Sequence, residues 1–447
     1  MKHYLIFVTI IMLTLQFSGV FAELNADTNI DTTRLRVIMS SDFPPIGVVK
    51  EGNVPNDQKS DPDDMQSMVR FLLYANEFDI EGLIASSGTF ANIAKKQNIL
   101  DVIDRYEMVY ENLLQHDALY PTPDALREVT FQGRTGTWGK SVSNNIGAGK
   151  DSEASEAIIA IVDKPDPRPV YIGVWGDCSN IAQAVWKVQN TRSAEELETF
   201  LSKMRIHQIA HQDDTIDWLM NNFPNLFIIY SKKTYQGMFG GSDPISNLAW
   251  INENIRHNHG PPCDVYPHEG MGCTGVCEGD SPSFLWLVSA NRGLNDPDDP
   301  TQPSWGGQFR RDGTTNHYVD GPGGSSISRW RPDYQAEFQE RADWCLSETS
   351  VDETGYGELP KSFELGQNYP NPFNPTTQIE YSVPKSDYIT LKAYNILGQE
   401  IASLFEGFQQ PGNYKIVFDG SELSSGVYLY QLKAQNFSDI KRTFLLK

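Results

Sequence analysis

The sequence has little positive charge. Its 447 residues include 36 Lys and Arg against 58 Asp and Glu, which gives a formal net charge of −22. Because phosphate binding requires clustered cations, this deficit excludes a general nucleic-acid-binding protein. The deficit is also uneven, since residues 361–447 hold eight basic and eight acidic residues and residues 1–360 carry the whole acidic excess. This asymmetry predicts two units with different roles.

Long apolar runs are also scarce. After residue 22, no stretch approaches the roughly 18 consecutive apolar residues that a membrane-spanning helix needs, so we expect no transmembrane segment. Residues 4–15 do form an apolar run, which follows the basic residue Lys2 and precedes small residues at positions 20 and 22. This pattern is typical of a secretory signal peptide, which we assign to residues 1–22.

Cysteine is the third scarce feature, and its five copies suit an exported protein with few disulfides. Cys263, Cys273 and Cys277 form a cluster, whereas Cys178 and Cys345 stand apart. The odd number leaves at least one thiol unpaired within a monomer. The cluster favours either a loop disulfide or a zinc site that includes His268, although the paired CxxC spacing typical of zinc sites is missing.

The C-terminal part of the chain has the pattern of a separate small domain. Residues 349–363 are polar and are predicted to form a linker, and residues 364–447 contain short alternating runs such as QIEYSV, NYKIVF and GVYLYQLKA. Several short strands at this spacing predict a small all-β, Ig-like sandwich. Residues 366–377, 394–400 and 425–428 resemble the type A C-terminal sorting domain of the type IX secretion system. The resemblance implies contact with that machinery and export across the outer membrane of a Gram-negative bacterium, followed by secretion or attachment to the cell surface.

The larger part of the chain, residues 35–348, alternates predicted strands with predicted helices. The strands are expected at residues 35–41, 79–85, 169–175 and 225–230, and an amphipathic helix is expected over residues 65–75. This alternation predicts an α/β fold with a mostly parallel central sheet flanked by helices. In such sheets ligands bind at the carboxyl ends of the strands. Asp42 and the turn at residues 176–180 both follow strands, so we expect them to meet in one crevice.

Three carboxylates lie just before the predicted helix, at Asp61, Asp63 and Asp64. Asp is a common helix cap, but one Asp would be enough for that role. Three carboxylates in four residues repel one another unless a cation is present, and oxygen-only clusters suit Ca²⁺. The residues alone therefore leave two interpretations open, a metal site and a capped, solvated loop.

Residues 35–348 resemble a nucleoside-hydrolase-like family that is often described as cellulose-binding. The resemblance is carried by short motifs in order along the chain, at Asp42 and at residues 60–70, 78–87, 166–170, 175–184, 212–214, 235–238, 278–284 and 305–307. It implies a nucleoside-hydrolase-like fold with Ca²⁺ as its cofactor.

The resemblance also implies roles for individual residues. Asp42 would bind Ca²⁺ and act as the general base for water, while Asp64, the backbone carbonyl of Ser179 and Asp280 would complete the metal ligands. Asp63 would contact the metal or a sugar hydroxyl, and Asn180 would contact the substrate. These residues are therefore all expected to lie in the crevice that contains Asp42 and the turn at residues 176–180.

The sequence departs from the nucleoside-hydrolase pattern at three positions. Ser40 occupies the place of the first Asp of the hydrolase motif, and Asp177 replaces a Pro in the turn. Gly279 stands where these hydrolases often have a His that protonates the leaving group. Other histidines could supply the proton, although an isolated His is more often a surface or hydrogen-bonded residue; these candidates are His207, His211, His257 and His259.

Two functional hypotheses follow. The first is an exported calcium-dependent hydrolase that cleaves glycosidic or N-ribosyl-like bonds during carbohydrate utilisation. The alternative is a non-catalytic protein that uses the same pocket to bind carbohydrate such as cellulose. In both cases the small-molecule partner is a carbohydrate or a nucleoside-like compound. Trp305, Trp330 and Trp344 could stack on sugar rings, but burial in the core is the more common role of Trp.

Overall fold

The chain divides into two units, one within Met1–Ser350 and the other within Val351–Lys447. The computed structural model describes residues 34–47, 62–88, 95–134, 139–270, 273–346, 360, 362–384, 387–409, 412–421, 423–434 and 437–447. The predicted signal peptide, Asp61 and most of the predicted linker lie outside these residues. Within the described residues, no helix combines the length and the apolar character that crossing a bilayer requires.

A central sheet organises the first unit. The described strands of this unit are β1 (Leu35–Ser41), β2 (Phe78–Ala85), β3 (Thr130–Gln132), β4 (Val170–Val174), β5 (Met204–Ile209), β6 (Phe227–Ser231), β7 (Glu269–Gly270), β8 (Cys273–Thr274), β9 (Phe309–Arg311) and β10 (His317–Asp320). Eight of them form one sheet in the order β3-β2-β1-β4-β5-β6-β10-β9, while β7 and β8 pair with each other. All neighbours in the large sheet are parallel except β10 and β9. The strand order reverses between β1 and β4, which is where ligands bind in open parallel sheets.

Helices cover both faces of this sheet. The described α-helices are α1 (Pro62–Leu73), α2 (Lys96–Glu107), α3 (Tyr110–His116), α4 (Pro123–Glu128), α5 (Val142–Asn145), α6 (Glu153–Asp163), α7 (Ser179–Thr191), α8 (Ala194–Ser202), α9 (Thr215–Asn222), α10 (Leu248–Ile251), α11 (Pro261–Asp264), α12 (Pro282–Asn291), α13 (Ser325–Ser328) and α14 (Arg331–Asp343). Side chains alternate between two apolar clusters, because successive residues of a strand point to opposite faces. Val37 and Met39 belong to one cluster and Ile38 to the other. This two-sided burial confirms the predicted α/β class.

The start of α1 differs from the prediction. The helix begins at Pro62 rather than near Met65, so Asp63 and Asp64 lie in its first turn and not in the preceding loop. A proline is well accepted at the first helical position, because the amide hydrogen it lacks has no intrahelical partner there. Both carboxylates therefore lie at the positive end of the helix dipole, which favours negative charge.

The second unit is a small antiparallel sandwich. Its described strands are β11 (Glu364–Leu365), β12 (Thr376–Val383), β13 (Asp387–Asn395), β14 (Glu400–Gln409), β15 (Gly412–Asp419), β16 (Gly426–Ala434) and β17 (Phe437–Leu445). They form one sheet in the order β11-β12-β15 and another in the order β14-β13-β16-β17. Side chains of both sheets share one apolar core, for example Ile379 from the first sheet and Leu391 and Tyr430 from the second. This arrangement confirms the predicted all-β C-terminal domain.

The cysteine cluster forms a disulfide between Cys273 and Cys277. Cys263, the third member, is buried as a free thiol in the core of the first unit. The prediction of a loop disulfide is thus confirmed. The zinc interpretation is wrong, because the two sulfur atoms that would have served as metal ligands are bonded to each other.

The three tryptophans considered for sugar stacking pack with the core. Trp305 is buried, and Trp330 and Trp344 are partly buried against the same apolar cluster. The Trp344 ring also stacks on His116, with ring centroids 5.0 Å apart. Burial in the core, the more common role of Trp, therefore describes all three.

His207 lies in the core of the sheet on β5. Its ring packs edge-on against Trp286 and Phe309, with ring centroids 6.0 Å and 5.4 Å away. Within the described part of the chain, neither ring nitrogen has a hydrogen-bond partner. Burial lowers the pKa of His207 to about 3. The ring is therefore neutral at physiological pH, and the hypothesis that it protonates a leaving group loses its support.

This burial makes folding depend on pH. The unfolded chain protonates His207 near pH 6.5, whereas the folded chain does so only near pH 3, so stability falls as the pH drops below 6.5. Between pH 7 and pH 5 we expect His207 to lower the free energy of unfolding by about 2 kcal/mol. The free energy of unfolding is measured by urea titration at both pH values. Its decrease from pH 7 to pH 5 should be smaller by this amount in His207→Phe than in the wild type. Ile206→Val, a buried substitution on the same strand, provides the control, because it changes no titratable group and should keep the wild-type difference between the two pH values. An equal loss in both variants would contradict the assignment.

Candidate functional site

Four carboxylates converge at the carboxyl edge of the central sheet. Asp42 follows β1, Asp63 and Asp64 begin α1, and Asp280 lies two residues before α12. One carboxylate oxygen each of Asp63, Asp64 and Asp280 lies within 4.8 Å of the others, and the Asp42 carboxylate lies within hydrogen-bonding reach of Asp64. The four side chains are 1%, 8%, 1% and 3% exposed, in that order along the chain. We call these four residues the carboxylate cluster.

Burial and mutual repulsion dominate the electrostatics of the carboxylate cluster. Burial raises the pKa of Asp64 well above its usual range, and the charges of Asp42 and Asp63 raise it further. Burial also raises the pKa of Asp280, and the neighbouring charges of Asp64, Asp63 and Asp42 act in the same direction. A hydrogen bond donated by the Ser41 hydroxyl acts in the opposite direction and lowers the pKa of Asp64. Both burial and mutual repulsion disfavour ionised carboxylates in this cluster unless a cation offsets their charge.

This donor set fits a hard divalent cation. Among the described residues, Asp280 Oδ2 is buried and has no hydrogen-bond partner, as expected of an oxygen that faces an ion. All the side-chain metal ligands that the cluster offers are carboxylate oxygens, and Ca²⁺ prefers oxygen ligands. The residues therefore fit the cofactor that the sequence predicts.

Three glycines give the carboxylate cluster its shape. A Cβ atom at Gly88 would lie 1.9 Å from Asp42 Oδ2, and one at Gly176 would lie 2.9 Å from Asp42 Oδ1. A Cβ atom at Gly279 would lie 2.4 Å from Asp63 Oδ2. Backbone therefore approaches the carboxylates directly at all three positions. Sequence reasoning missed Gly88 as a site residue, because the only signal is that it follows a predicted strand.

Gly88 allows a direct test of this packing. We expect Gly88→Ala to lower the affinity for Ca²⁺ by about 10- to 100-fold, since the new methyl group must displace the Asp42 carboxylate. Isothermal titration calorimetry of the chelator-treated full chain measures this affinity. Gly426→Ala is the matched control, because a Cβ atom there would lie no closer than 3.9 Å to any neighbour among the described residues. Equal Ca²⁺ affinity in both variants would show that Gly88 does not position Asp42.

The turn before α7 borders the carboxylate cluster. Ser179 donates to Asp177 Oδ1 from its amide at 3.1 Å and from its hydroxyl at 2.6 Å. Burial raises the pKa of Asp177, the charge of Asp213 raises it further, and Asp42 adds a smaller contribution. Asn180 Oδ1 accepts hydrogen bonds from the amide of Arg134 and the hydroxyl of Ser152, at 3.1 Å and 2.8 Å. These contacts hold the loop after β3, and the ligand role of Ser179 and the substrate role of Asn180 stay predictions.

Asp213 fixes the same turn from the other side. Its carboxylate accepts hydrogen bonds from the Cys178 amide at 3.3 Å, from the Asn145 side chain at 2.6 Å and from the Thr215 hydroxyl at 2.7 Å. Sequence reasoning placed Asp213 in a motif but gave it no role. The structure shows that it holds the entry to α7, and thereby Gly176, next to Asp42.

A buried ion pair connects α1, which carries Asp63 and Asp64, to the segment that carries Asp280. Arg70, two turns along α1 from Asp63, donates to Glu278 Oε2 at 2.5 Å and to Oε1 at 3.0 Å. Both side chains are fully buried, and Tyr266 and Ser281 donate to the same carboxylate at 2.5 Å and 2.8 Å. Because Glu278 lies two residues before Asp280, this pair fixes α1 against the segment that carries Asp280.

Comparison with known proteins places this architecture in a family. Residues 53–309, more than half of the chain, match the family model described as "Cellulose-binding Sde182, nucleoside hydrolase-like domain". The chain belongs to this family. Residues 367–446 match the model described as "Secretion system C-terminal sorting domain". The Sde182-like match includes Asp63, Asp64 and Asp280, whereas Asp42 lies before its first residue.

A solved structure agrees with the Sde182-like assignment. It is a nucleoside hydrolase-related hypothetical protein from Saccharophagus degradans that is associated with carbohydrate metabolism. The two chains are 28% identical, the match covers 92% of this chain and 99% of that one, and the TM-score is 0.59. A second match is to PorZ, a surface component of the type-IX secretion system of Porphyromonas gingivalis. It covers 21% of this chain and 13% of PorZ at 17% identity, and its TM-score of 0.14 is too low to indicate a shared fold. No curated protein matches the chain.

A histidine at position 279 of the Sde182-like domain would have to displace the Asp63 carboxylate. A Cβ atom there would approach Asp63 Oδ2 to 2.4 Å and the Tyr235 ring to 3.2 Å. The candidate histidines other than His207 make their contacts with other groups. His211 lies 3.0 Å from Asp217, His259 lies 3.0 Å from Asp343, and His257 adjoins Arg256 and His259. These contacts hold the three histidines to groups outside the carboxylate cluster.

Proposed function

We propose that this protein is an exported, calcium-dependent hydrolase of glycosidic or N-ribosyl-like bonds. The observation that carries the proposal is the carboxylate cluster, in which four buried aspartates meet where the strand order of the sheet reverses. Membership of a nucleoside hydrolase-like family supports the reaction class. The printed descriptions of the family and of its solved relative support a carbohydrate as the substrate class, because they refer to cellulose binding and to carbohydrate metabolism.

Each residue of the carboxylate cluster has a role in this proposal. Asp42, Asp64 and Asp280 would hold Ca²⁺, and the carbonyl of Ser179 is a further ligand predicted from the family resemblance. When bound, Ca²⁺ supplies positive charge that orients a water molecule and vicinal sugar hydroxyls. Asp42 accepts a proton from the attacking water, and Asp63 accepts a hydrogen bond from a sugar hydroxyl. The water oxygen adds to the anomeric carbon as the glycosyl bond breaks. The leaving group departs with the bonding electrons and takes a proton from solvent, and Asp42 later returns its proton to solvent.

A specific observation favours a second candidate, a carbohydrate-binding protein without turnover. Backbone at Gly279 fills the place where a nucleoside hydrolase often has its leaving-group acid, and a side chain there would collide with Asp63. Without such an acid, a poor leaving group departs slowly. The same four carboxylates would then bind Ca²⁺ and sugar hydroxyls without cleaving the bond.

Export is the second part of the proposal. The C-terminal sorting domain supports passage through the type IX secretion system, which would leave the protein secreted or attached to the cell surface. The predicted signal peptide at residues 1–22 is consistent with a first step into the periplasm. The sorting unit would serve as an address and take no part in the chemistry.

One experiment separates the two candidate functions. The full chain is stripped with chelator, titrated with Ca²⁺ by calorimetry and then assayed on nucleosides and cello-oligosaccharides with and without the ion. Calcium-dependent release of free base or reducing sugar supports the hydrolase, whereas calcium-dependent retention on cellulose without release supports the binding protein. Asp280→Asn should abolish Ca²⁺ binding, and the exposed Asp124→Asn should not. Absence of Ca²⁺ binding by the wild type would contradict both proposals.

A further inference from the structure

Two of the three free cysteines lie against each other in the core of the first unit. Cys263 belongs to α11, Cys345 follows α14, and their side chains are 0% and 2% exposed. The Cys263 thiol lies within hydrogen-bonding reach of the Cys345 thiol. The third free cysteine, Cys178, belongs to the apolar cluster on the opposite face of the sheet. The fold thus brings together one particular pair of sulfur atoms.

Neighbouring contacts hold this pair in place. Asn112 Nδ2 donates to the carbonyl of Cys345 at 2.6 Å, and His259 Nδ1 lies 3.0 Å from Asp343 Oδ1 at the end of α14. A Cβ atom at Gly260 would lie 3.5 Å from Cys345 Cβ. The segment that enters α11 therefore rests directly on the residues that follow α14.

We propose that the mature protein carries a second disulfide, between Cys263 and Cys345. The inference rests on the export proposed above, because disulfides form and persist in the periplasm and outside the cell. It also extends the pattern already present at Cys273 and Cys277, the other cysteines of the same unit that lie close together.

The reaction is thiol–disulfide exchange with a protein disulfide oxidant of the periplasm. One cysteine thiolate attacks the oxidant's disulfide to form a mixed disulfide, and the second thiolate then displaces the oxidant from it. Two thiols lose two protons and two electrons, and the oxidant's disulfide is reduced to a dithiol. Both sulfur atoms are buried in the folded chain, out of reach of a protein oxidant, so the exchange takes place before α14 packs against α11.

The cross-link would close a long loop of the chain. Residues 264–344 lie between the two cysteines, and this stretch includes Glu278, Asp280 and α12. Closing a loop of this length restricts the unfolded chain strongly. It would also fix the last residues of the first unit, at the point from which the chain continues towards the sorting unit.

Peptide mapping tests the proposal. The protein is collected from the culture medium of a strain that exports it, denatured, alkylated without reduction, digested and analysed by mass spectrometry. We expect a linked pair of peptides that contain Cys263 and Cys345, the Cys273–Cys277 disulfide, and alkylation at Cys178 alone. Alkylation of all three cysteines that are free in the structure would overturn the proposal. Refolding the denatured full chain in a glutathione redox buffer gives the same readout, so a failure of export does not affect the test.

Thermal unfolding supplies an independent measurement. Reduction should lower the unfolding midpoint of the oxidised wild type by about 5 °C or more, because a long closed loop is released. The double variant Cys263→Ala/Cys345→Ala retains only the short Cys273–Cys277 loop, so its midpoint should change much less on reduction. Cys178→Ala is the control and should respond to reduction as the wild type does. Equal responses in the wild type and the double variant would overturn the proposal.

Discussion

We expect Asp42→Asn to lower hydrolytic turnover by about 10³-fold while the fold is retained. The amide has nearly the same shape as the carboxylate, so the close approach of Gly88 and Gly176 is preserved. It cannot accept the proton of the attacking water, however, and that is the role proposed for Asp42. Steady-state kinetics on the best substrate of the glycoside and nucleoside panel, together with circular dichroism, measure both parts of the prediction.

The neighbouring Asp63 provides the comparison for this variant. Asp63→Asn should raise KM more than it lowers kcat, because Asp63 is proposed to contact a sugar hydroxyl and not the reacting water. Calorimetry with Ca²⁺ must accompany both variants, since Asp42 is also a proposed metal ligand. Unchanged kcat in Asp42→Asn at saturating Ca²⁺ would remove Asp42 from the proposed mechanism and leave the carboxylate cluster as a binding site.

Removing the Arg70 side chain should destabilise the first unit severely. Arg70→Met leaves the Glu278 carboxylate fully buried without its cationic partner, and breaking such a pair costs about 3–5 kcal/mol. Urea unfolding followed by tryptophan fluorescence reports on this unit alone, because all nine tryptophans lie before residue 351. The double variant Arg70→Met/Glu278→Gln should recover part of the loss, because the buried charge is then removed as well.

An exposed arginine supplies the control for this stability measurement. Arg127 makes ion pairs with Asp104, Glu107 and Asp124, whose side chains are at least half exposed. Water screens these pairs, so Arg127→Met should change the free energy of unfolding by no more than about 1 kcal/mol. Similar losses in Arg70→Met and Arg127→Met would show that the buried pair contributes no special stability.

Much of the fold could be predicted from the sequence because local patterns determine it. The apolar runs at β1, β2, β4 and β6 are long enough to be recognised, and a parallel arrangement follows from the helices between them. Short strands such as β3, with three residues, carry too little pattern to be recognised. The order of strands in the sheet depends on contacts between distant segments, which no local pattern reports.

The candidate site also has a part that the sequence predicts and a part that only the folded chain reveals. Asp42 and the turn before α7 could be predicted to meet, because the carboxyl ends of parallel strands share one edge. The family resemblance added Asp280, which is 238 residues further along the chain. Gly88 and the pair of Arg70 and Glu278 could not be predicted, because their importance arises only from what each touches in the folded chain. The early start of α1 was missed because the apolar periodicity begins only at Met65, while Pro62, Asp63 and Asp64 contribute no apolar residue to the helical pattern.

The pair of Arg70 and Glu278 has a consequence for how the protein responds to changing ion concentration. The bridge is made entirely by protein groups, so it keeps Asp63 and Asp64 opposite Asp280 even in a calcium-free medium. The aspartates are consequently preorganised, and the unfavourable work of crowding like charges is done during folding and not during capture of the ion. A receptor of this kind changes shape little between its empty and loaded states. With the calcium binding and export proposed above, such a site would suit surroundings in which the calcium supply rises and falls while the protein must persist.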